Sequence, residues 1–312
     1  MIGVAEPAQD GQDGAAGTGL LSGRVIVLTG AAAGLGRGYV EPLVRQGATL
    51  VLNDIDEAGL AEAEAEARRL GAPVASVAGS VTDWDVANSL VGTAVKQFGR
   101  LDALVNNAGW HYVSPSHEDT PERIRQMMDI NVVGSMFPGV AALRYFVESG
   151  RPGNILNVTS GALSGLPYVA AYAASKGAVA SFTYAWAAEY RDRGIRVNAL
   201  APTAYTQQVK NTETMRSSVV HWGPEKIAPL TIFLLSDLSR HVTGQVVRMW
   251  GDDLHLYAHP HAVGPFLSNT EWTPARIAAA FRSDIDPQLQ VYARDMTEYV
   301  PFTGGPAAGA AG

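Results

Sequence analysis

Twelve residues decide the fold of this chain: VIVLTGAAAGLG, at positions 25–36. The run at 25–28 is apolar without interruption, which is typical of a strand buried on both faces. It leads into a turn with three glycines, and a helical pattern follows at once. Glycines allow a tight turn and let backbone N–H groups approach a phosphate at the helix N-terminus, where the helix dipole favours anions. The stretch therefore predicts a nucleotide-binding turn, with contacts at Gly30, Ala33, Gly34, Leu35 and Gly36. The alternative is a structural glycine-rich turn in an unrelated α/β protein.

Outward from this turn, short β-branched runs alternate with longer alanine-rich stretches as far as Val247. This alternation is the signature of a parallel sheet with crossover helices. We therefore predict an α/β fold: a doubly wound parallel sheet of Rossmann type in a single domain, with a C-terminal tail extension. The predicted strands are 25–29, 49–53, 73–77, 101–106, 153–158, 195–200 and 245–249. The predicted helices lie near 35–47, 57–70, 84–98, 120–148, 172–192 and 224–236.

The predicted domain boundaries follow changes in composition along the chain. After residue 250 the alternating pattern ends, and only two further helices are predicted, at 274–282 and near 288–299. This part is too small for an independent core, so we expect it to pack on the main domain or on a neighbouring subunit. The predicted parts are a disordered leader at 1–21, the Rossmann dinucleotide-binding and catalytic domain at 22–250, the extension at 251–303 and a disordered tail at 304–312.

Composition excludes several classes of function. The net charge of −7 argues against a nucleic acid or an anionic membrane as the main partner. The chain has no cysteine, which excludes disulfides, thiolate metal sites and cysteine nucleophiles. No secretory signal and no apolar run long enough to cross a bilayer is apparent, so we expect a soluble, cytoplasmic protein.

Asp54 indicates which dinucleotide the chain prefers. It ends the second predicted strand, 24 residues after Gly30, where a carboxylate can bind both ribose hydroxyls of adenosine. A 2′-phosphate would be repelled there, and the adjoining residues Ala33 and Ile55 offer no positive charge. Arg37 is the one nearby guanidinium, and we interpret it as a solvated surface residue. The sequence thus favours NAD over NADP.

A second motif, Tyr-Ala-Ala-Ser-Lys, places Tyr172 four residues before Lys176 in a chain with only four lysines. Residues at this spacing share a helix face, so the ammonium lies close enough to favour the phenolate. A free tyrosine titrates near pH 10, too high for a good base at neutral pH. The pair therefore indicates a proton-transfer tyrosine. The alternative is an ordinary helical Tyr and Lys that share a face.

With the glycine-rich turn, Asn-Asn-Ala-Gly at 106–109 and the Tyr-x-x-x-Lys pair, residues 22–250 resemble the short-chain dehydrogenase/reductase family in its shorter-loop, NAD-preferring form. In that family the tyrosine is the general acid/base, and the lysine holds the nicotinamide ribose and lowers the tyrosine pKa. A serine orients the substrate oxygen, and an asparagine anchors a water-linked proton relay. The resemblance implies the catalytic residues Ser160, Tyr172, Lys176 and Asn131.

Ser160 departs from the family's usual spacing. It precedes Tyr172 by 12 residues, one fewer than is common in the family, so that Thr159 occupies the usual position. We nevertheless predict Ser160, because the Thr-Ser pair after the fifth strand matches the family better than a raw count does. Thr159 is the alternative hydroxyl.

The resemblance also implies further cofactor contacts. Ser80 and Val81 stand where the family usually has an aspartate before a small apolar residue, to hold the adenine amine. Pro202 is followed by threonine instead of the usual glycine, while Thr206 is placed to bond the carboxamide or a phosphate. With Asn107, Tyr172 and Lys176, these residues complete the predicted cofactor site.

Together these residues imply an NAD-dependent alcohol dehydrogenase or ketoreductase. The segments expected around the substrate, 110–112, 163–168 and 204–222, are aromatic and aliphatic with few charges, which suits an apolar or alicyclic secondary alcohol or ketone such as a steroid, terpenoid or cyclic alcohol. Trp110, Tyr168 and Ser160 are the predicted substrate contacts, unless the two aromatics belong to the core or an interface. One alternative substrate class is a 3-hydroxyacyl-CoA or 3-oxoacyl thioester, and a more remote alternative function is a non-catalytic NAD(H)-binding sensor.

Two further expectations concern metal and assembly. His255, His259 and His261 lie near two aspartates, but proline interrupts them in an irregular stretch, so we predict surface histidines and no metal site. The family usually forms tetramers through the helix that carries the tyrosine. We therefore expect a homo-oligomer, either a tetramer or a dimer.

Overall fold

An eight-stranded sheet forms the centre of the computed structural model, which describes residues 19–203, 223–262, 264, 267–286, 289–292 and 299–301. The strand order is β3-β2-β1-β4-β5-β6-β7-β8. The first seven strands are parallel, and β8 is antiparallel to β7. The strands are β1 (Val25–Thr29), β2 (Thr49–Asp54), β3 (Val74–Ala78), β4 (Ala103–Asn106), β5 (Gly153–Val158), β6 (Ile195–Thr203), β7 (Val246–Trp250) and β8 (Asp253–Leu256). This confirms the predicted doubly wound α/β fold.

Helices cover both faces of the sheet because the strands are apolar on both sides. In β1, Ile26 and Leu28 join one buried cluster with residues of α1 and α2, while Val25 and Val27 join another with residues of α3, α5 and α6. The helices are α1 (Gly34–Arg45), α2 (Glu57–Arg69), α3 (Trp84–Phe98), α4 (Pro121–Met128), α5 (Gly134–Ser149), α6 (Ala170–Tyr190), α7 (Ala228–Leu235) and α8 (Pro274–Ala280). The chain order reverses between β1 and β4, and ligands bind at such switch points of open α/β sheets.

The long helix predicted at 120–148 is two helices joined by a π-helical turn at Asp129–Val133. Asn131 in this turn is fully buried. The whole stretch Pro121–Ser149 is long and apolar enough to cross a membrane by length and composition, yet half of its most apolar window is buried in the protein. Its second half, α5, contributes Ala141, Leu143 and Phe146 to the buried cluster beneath the sheet.

Two predicted boundaries and one predicted helix need correction. Leu21, assigned to the disordered leader, is fully buried, and its N–H donates to the Gln46 carbonyl at 2.9 Å. The boundary at residue 250 falls inside a hairpin, because β8 turns back along β7 with Trp250 opposite Asp253. The helix predicted near 288–299 is wrong where the structure describes that stretch: β9 (Gln290–Tyr292) pairs with the antiparallel β10 (Tyr299–Pro301), since β-branched and aromatic residues favour extended pairing.

Candidate active site

The glycine-rich turn is closed so tightly that Gly36 has no room for a side chain. A Cβ at this position would lie 1.9 Å from the Gly30 carbonyl oxygen and 2.6 Å from Asn107 Nδ2. Helix α1 begins after Ala33, whose side chain makes no capping hydrogen bond, and its first turn contains no acidic residue. Within the N-cap and first turn, no side chain therefore competes for the first N–H groups of the helix. Both features fit a phosphate at this helix N-terminus.

Asn107 fastens the turn to the neighbouring strand at the switch point. Its Nδ2 donates to the carbonyl oxygens of Thr29 at 3.0 Å and Gly30 at 3.1 Å. Its own N–H donates to Thr29 Oγ1 at 3.0 Å. Sequence reasoning missed Thr29, although a hydroxyl residue at the end of β1, directly before the turn, was a visible signal. Asn107 thus stabilises the conformation of the turn through its main-chain carbonyls.

Asp54 lies at the carboxyl end of β2 beside the turn. Oδ2 accepts the Ala32 N–H at 2.9 Å, and Oδ1 accepts the Asp56 N–H at 3.1 Å. Arg37 forms an ion pair with Glu66 on α2, and its side chain stays 30% exposed, in keeping with the surface role we expected. Among the described residues no cation is paired with Asp54. The turn and this carboxylate therefore fit the phosphates and ribose of an adenosine dinucleotide.

The remaining predicted cofactor residues are only partly placed. Ser80 Oγ accepts the Thr82 N–H at 3.2 Å and lies 2.8 Å from the Thr82 hydroxyl. Val81 is buried, and Pro202 is half-buried near the end of β6. Thr206 and the predicted lid at 204–222 lie outside the described residues.

Ser160 and Tyr172 are brought close together. The Ser160 side chain acts on the Tyr172 hydroxyl and lowers its pKa, and Ser160 Oγ accepts the Ala162 N–H at 3.2 Å. Thr159, the alternative hydroxyl, points elsewhere: it is buried, and its Oγ1 donates to the Lys176 carbonyl at 2.7 Å. The geometry thus favours Ser160 as the hydroxyl that faces the tyrosine.

Lys176 lies below the tyrosine on the same helix, buried in the protein. Its Nζ donates to the Val158 carbonyl at 2.8 Å and lies 5.7 Å from the centroid of the Tyr172 ring. Burial lowers the pKa of Lys176 to about 8. Burial also raises the pKa of Tyr172, and the hydrogen bond from Ser160 opposes this without cancelling it. We expected the lysine to lower the tyrosine pKa, but desolvation of the phenol outweighs any such effect.

Asn131 connects the loop after β4 to α6 from the π-helical turn. Its Oδ1 accepts the Trp110 N–H at 2.8 Å, and its Nδ2 donates to the Trp110 carbonyl at 2.9 Å. Nδ2 also donates to Ser175 Oγ at 2.9 Å, and Ser175 donates to the Tyr172 carbonyl at 2.7 Å. π-Helical turns are frequent at functional sites, because they turn a side chain out of the helical ladder. Ser175 was missed, though it stands inside the Tyr-Ala-Ala-Ser-Lys motif.

The loop that carries Trp110 approaches Tyr172 through its neighbour His111. The Trp110 ring packs against Tyr112 at a centroid distance of 5.1 Å, and the His111 ring lies 5.6 Å from the Tyr172 ring. Tyr168 is 58% exposed, and its φ of 64° is rare for a residue with a side chain. Its carbonyl accepts the Ser114 N–H at 2.8 Å, which holds the two loops together. His111 had been included only as part of a segment, and its position next to Tyr172 needed the structure.

The histidines after β7 are occupied by other contacts. His259 Nε2 lies 2.6 Å from the Gly244 carbonyl, and its ring packs against Tyr184 at 4.2 Å. His255 faces the Tyr257 ring. Within the described part of the chain, no group of three or more His, Asp or Glu side chains is arranged to hold a metal ion.

Comparison with known proteins bears on what this site does. The family model described as short chain dehydrogenase matches residues 24–217. A diacetyl reductase of Staphylococcus epidermidis that forms (S)-acetoin is 35% identical over 72% of this chain and 96% of its own. A 3-oxoacyl-(acyl-carrier-protein) reductase of Thermotoga maritima is 34% identical over 74% of this chain and 98% of its own. The crystal structure of a short chain dehydrogenase from Mycobacterium paratuberculosis bound to NAD superposes with a TM-score of 0.69 at 29% identity, covering 75% of this chain and 98% of that one.

Proposed function

Because the chain belongs to the short-chain dehydrogenase/reductase family, and is therefore an oxidoreductase of that type, we propose that it interconverts a secondary alcohol and a ketone with NAD as cofactor. The observation that carries this proposal is the proximity of Ser160 to the Tyr172 hydroxyl, whose pKa the serine lowers, with Lys176 buried on the same helix. A hydroxyl pair of this kind can hold a substrate oxygen between its two members. The proposed catalytic residues are Ser160, Tyr172, Lys176 and Asn131.

Proton transfer is the work of Tyr172. In the oxidation direction its phenolate removes the proton of the substrate hydroxyl, and in reduction its phenol returns that proton to the carbonyl oxygen. Ser160 donates a hydrogen bond to the same oxygen, where negative charge develops. When bound, the dinucleotide supplies or accepts the hydride, so the protein contributes geometry and proton transfer.

Lys176 and Asn131 have supporting roles in this proposal. A Cβ built on Gly109 would lie 3.2 Å from Asn131 Oδ1 and 3.4 Å from Lys176 Nζ. The two side chains therefore approach the same glycine. A cation beside a polar amide suits a path for protons that leads away from the half-buried Tyr172. We propose that Lys176 also binds the nicotinamide ribose.

For the substrate we propose an apolar or alicyclic secondary alcohol or ketone. In the two segments proposed to contact the substrate, the half-buried Trp110 and the exposed Tyr168 present aromatic surface. The relative from Staphylococcus epidermidis, named for the reduction of diacetyl, supports a ketone without a charged group.

A 3-oxoacyl thioester is the second candidate substrate, favoured by the relative from Thermotoga maritima that is named for such a substrate. A coenzyme A or carrier-protein thioester carries phosphate and calls for basic residues near the site. In the extension, Arg276 is paired with Glu271 and donates to its carbonyl at 2.6 Å. A substrate panel that contains diacetyl, cyclic ketones, steroid ketones and a 3-oxoacyl thioester, assayed with NADH, separates the two candidates.

Cofactor preference is expected to depend on the charge of Asp54. In Asp54→Ala, NADH binding should weaken about tenfold to hundredfold, because charge-assisted hydrogen bonds to the ribose are lost. The preference over NADPH should shrink by a similar factor. Fluorescence titration of both cofactors measures this, and Glu57→Gln, which removes an exposed charge three residues away, is the matched control. Equal affinity of the wild-type protein for NADH and NADPH would contradict the assignment of NAD.

The pH dependence of activity is expected to have opposite signs in the two directions. Burial raises the pKa of Tyr172, so alcohol oxidation, which needs the phenolate, should rise as the pH rises towards and beyond 10. Ketone reduction needs the phenol and should fall over the same range. Since the Ser160 hydrogen bond lowers the pKa of Tyr172, Ser160→Ala should move both profiles to higher pH. Profiles of kcat/KM in each direction test this, and an unmoved profile in Ser160→Ala would count against the contact.

A further inference from the structure

Arg248 reaches from β7 to the turn that follows Ser160. A Cβ on the buried Gly161 would lie 1.6 Å from Arg248 Nη1 and 2.7 Å from its Cζ, so the guanidinium occupies the space beside this glycine. The Arg248 Cζ also lies 4.9 Å from the Trp250 ring centroid. In the part of the chain that the structure describes, Arg248 has no carboxylate partner. Its neighbours are aromatic rings and the main chain of the turn.

Tyr257 completes a link between the guanidinium and the turn. Arg248 Nη1 donates to Tyr257 Oη at 2.7 Å, and Tyr257 Oη donates to the Gly161 carbonyl at 3.4 Å. Tyr257 is held beside β7 because its N–H donates to the Val246 carbonyl at 3.0 Å, just past the end of β8. Thus β8, the antiparallel strand that the sequence did not predict, places this hydroxyl.

The turn itself determines where Ser160 points. Ser160 Oγ accepts the Ala162 N–H, so its direction depends on the conformation of the 3-10 turn Gly161–Ser164. This turn begins the segment that is one residue shorter than is common in the family. A shorter segment has fewer backbone conformations available. A shift of Gly161 should therefore change the orientation of the Ser160 side chain.

We propose that Arg248 and Tyr257 are positioning residues that hold the Gly161 turn so that Ser160 meets Tyr172. This inference rests on the proposed function of Ser160. The two side chains touch neither Tyr172 nor the cofactor turn, so they act through the main chain of Gly161. Their loss should lower the rate of the chemical step and leave dinucleotide affinity unchanged.

The test is Tyr257→Phe, which removes only the hydroxyl, with Tyr184→Phe as the matched control. Tyr184 packs in the same small cluster as Tyr257 but stacks on His259. We expect kcat to fall about fivefold to tenfold in Tyr257→Phe, the scale of one hydrogen bond. The NADH dissociation constant should stay within about twofold. Arg248→Met should give a similar loss of kcat. It is the replacement test if Tyr257→Phe does not fold.

A pH profile and a double variant separate positioning from a general effect on stability. Because Ser160 lowers the pKa of Tyr172, Tyr257→Phe should move the rate profile to higher pH, as Ser160→Ala does. Combining the two changes should add nothing to the Ser160→Ala loss. Unchanged kcat with an unmoved profile, or a full additional loss in the double variant, would overturn the proposal.

Failure of the proposed function is recognised separately. If wild-type protein binds NADH but transfers no hydride to any ketone, the proposed reaction is wrong, and positioning is then tested without turnover. The ultraviolet titration of Tyr172, taken as the difference between wild type and Tyr172→Phe, should move to higher pH in Tyr257→Phe. An unmoved titration would refute the positioning role.

Discussion

In Tyr172→Phe, kcat for ketone reduction is expected to fall about 10³-fold, within the usual range for loss of a general acid. The ring remains and only the hydroxyl is lost, so the packing of α6 should persist. The hydroxyl is the group that contacts Ser160, and no second phenol of the described chain makes that contact. Steady-state kinetics with a saturating cofactor measures the loss.

Tyr184→Phe is the matched control, because Tyr184 lies on the same helix and packs against His259 instead of the site. It should retain wild-type kcat. NADH affinity in Tyr172→Phe should stay within about threefold, since a single neutral hydrogen bond contributes little. A rate within a few-fold of wild type would exclude Tyr172 as the proton donor.

The second large effect is expected for Gly36→Ala. The added methyl would lie 1.9 Å from the Gly30 carbonyl oxygen. Because this oxygen belongs to the main chain, the clash cannot be relieved by a side-chain rotation. The turn must open, which displaces the N–H groups proposed to bind phosphate. We expect NADH affinity to fall about a hundredfold or more, the scale of one or two charge-assisted hydrogen bonds. The free energy of unfolding should fall by about 1–3 kcal/mol, as for an overpacked site.

Gly92→Ala provides the matched control in helix α3. A Cβ at Gly92 would meet no heavy atom within 4 Å, so this change should raise the free energy of unfolding by about 0.5–1 kcal/mol. Denaturant titration and NADH titration of both variants give the two measurements. Wild-type NADH affinity in Gly36→Ala would show that the turn does not form the dinucleotide site.

The sequence predicted the fold well where short-range pattern and long-range packing demand the same residues. The apolar run at 25–28 must be buried on both faces in a parallel sheet, and so it could be recognised locally. Asp54 could also be recognised from the sequence, because it directly follows an apolar strand at the predicted edge of the sheet. All seven parallel strands were predicted to within three residues at either end.

Elements with weak local signals were missed. Strand β8 has only four residues, all exposed, and its pairing depends on the two-residue loop Gly251-Asp252, a hairpin signal that was present in the sequence. The π-helical turn around Asn131 leaves no mark in the apolar pattern of the sequence, and its amide contact with Trp110 is visible only in the structure.

The choice between Ser160 and Thr159 also needed three dimensions. Neighbouring residues in an extended chain point to opposite sides, so one hydroxyl turns to Tyr172 and the other to the main chain of α6. Counting along the sequence cannot show which does so. Spacing likewise suggested that Lys176 lowers the pKa of Tyr172, whereas burial of the phenol, invisible in the sequence, raises it.

The most direct test of NAD-dependent hydride transfer through Tyr172 is a single-turnover measurement. Protein with bound NADH is mixed with each ketone of the panel, and the loss of NADH absorbance is followed in wild type and in Tyr172→Phe. We predict rapid loss with at least one ketone in wild type and a rate about 10³-fold slower in Tyr172→Phe at equal NADH occupancy. Equal rates in the two proteins, or stable bound NADH with every ketone, would contradict the account, and the latter result would favour a non-catalytic NAD(H) sensor.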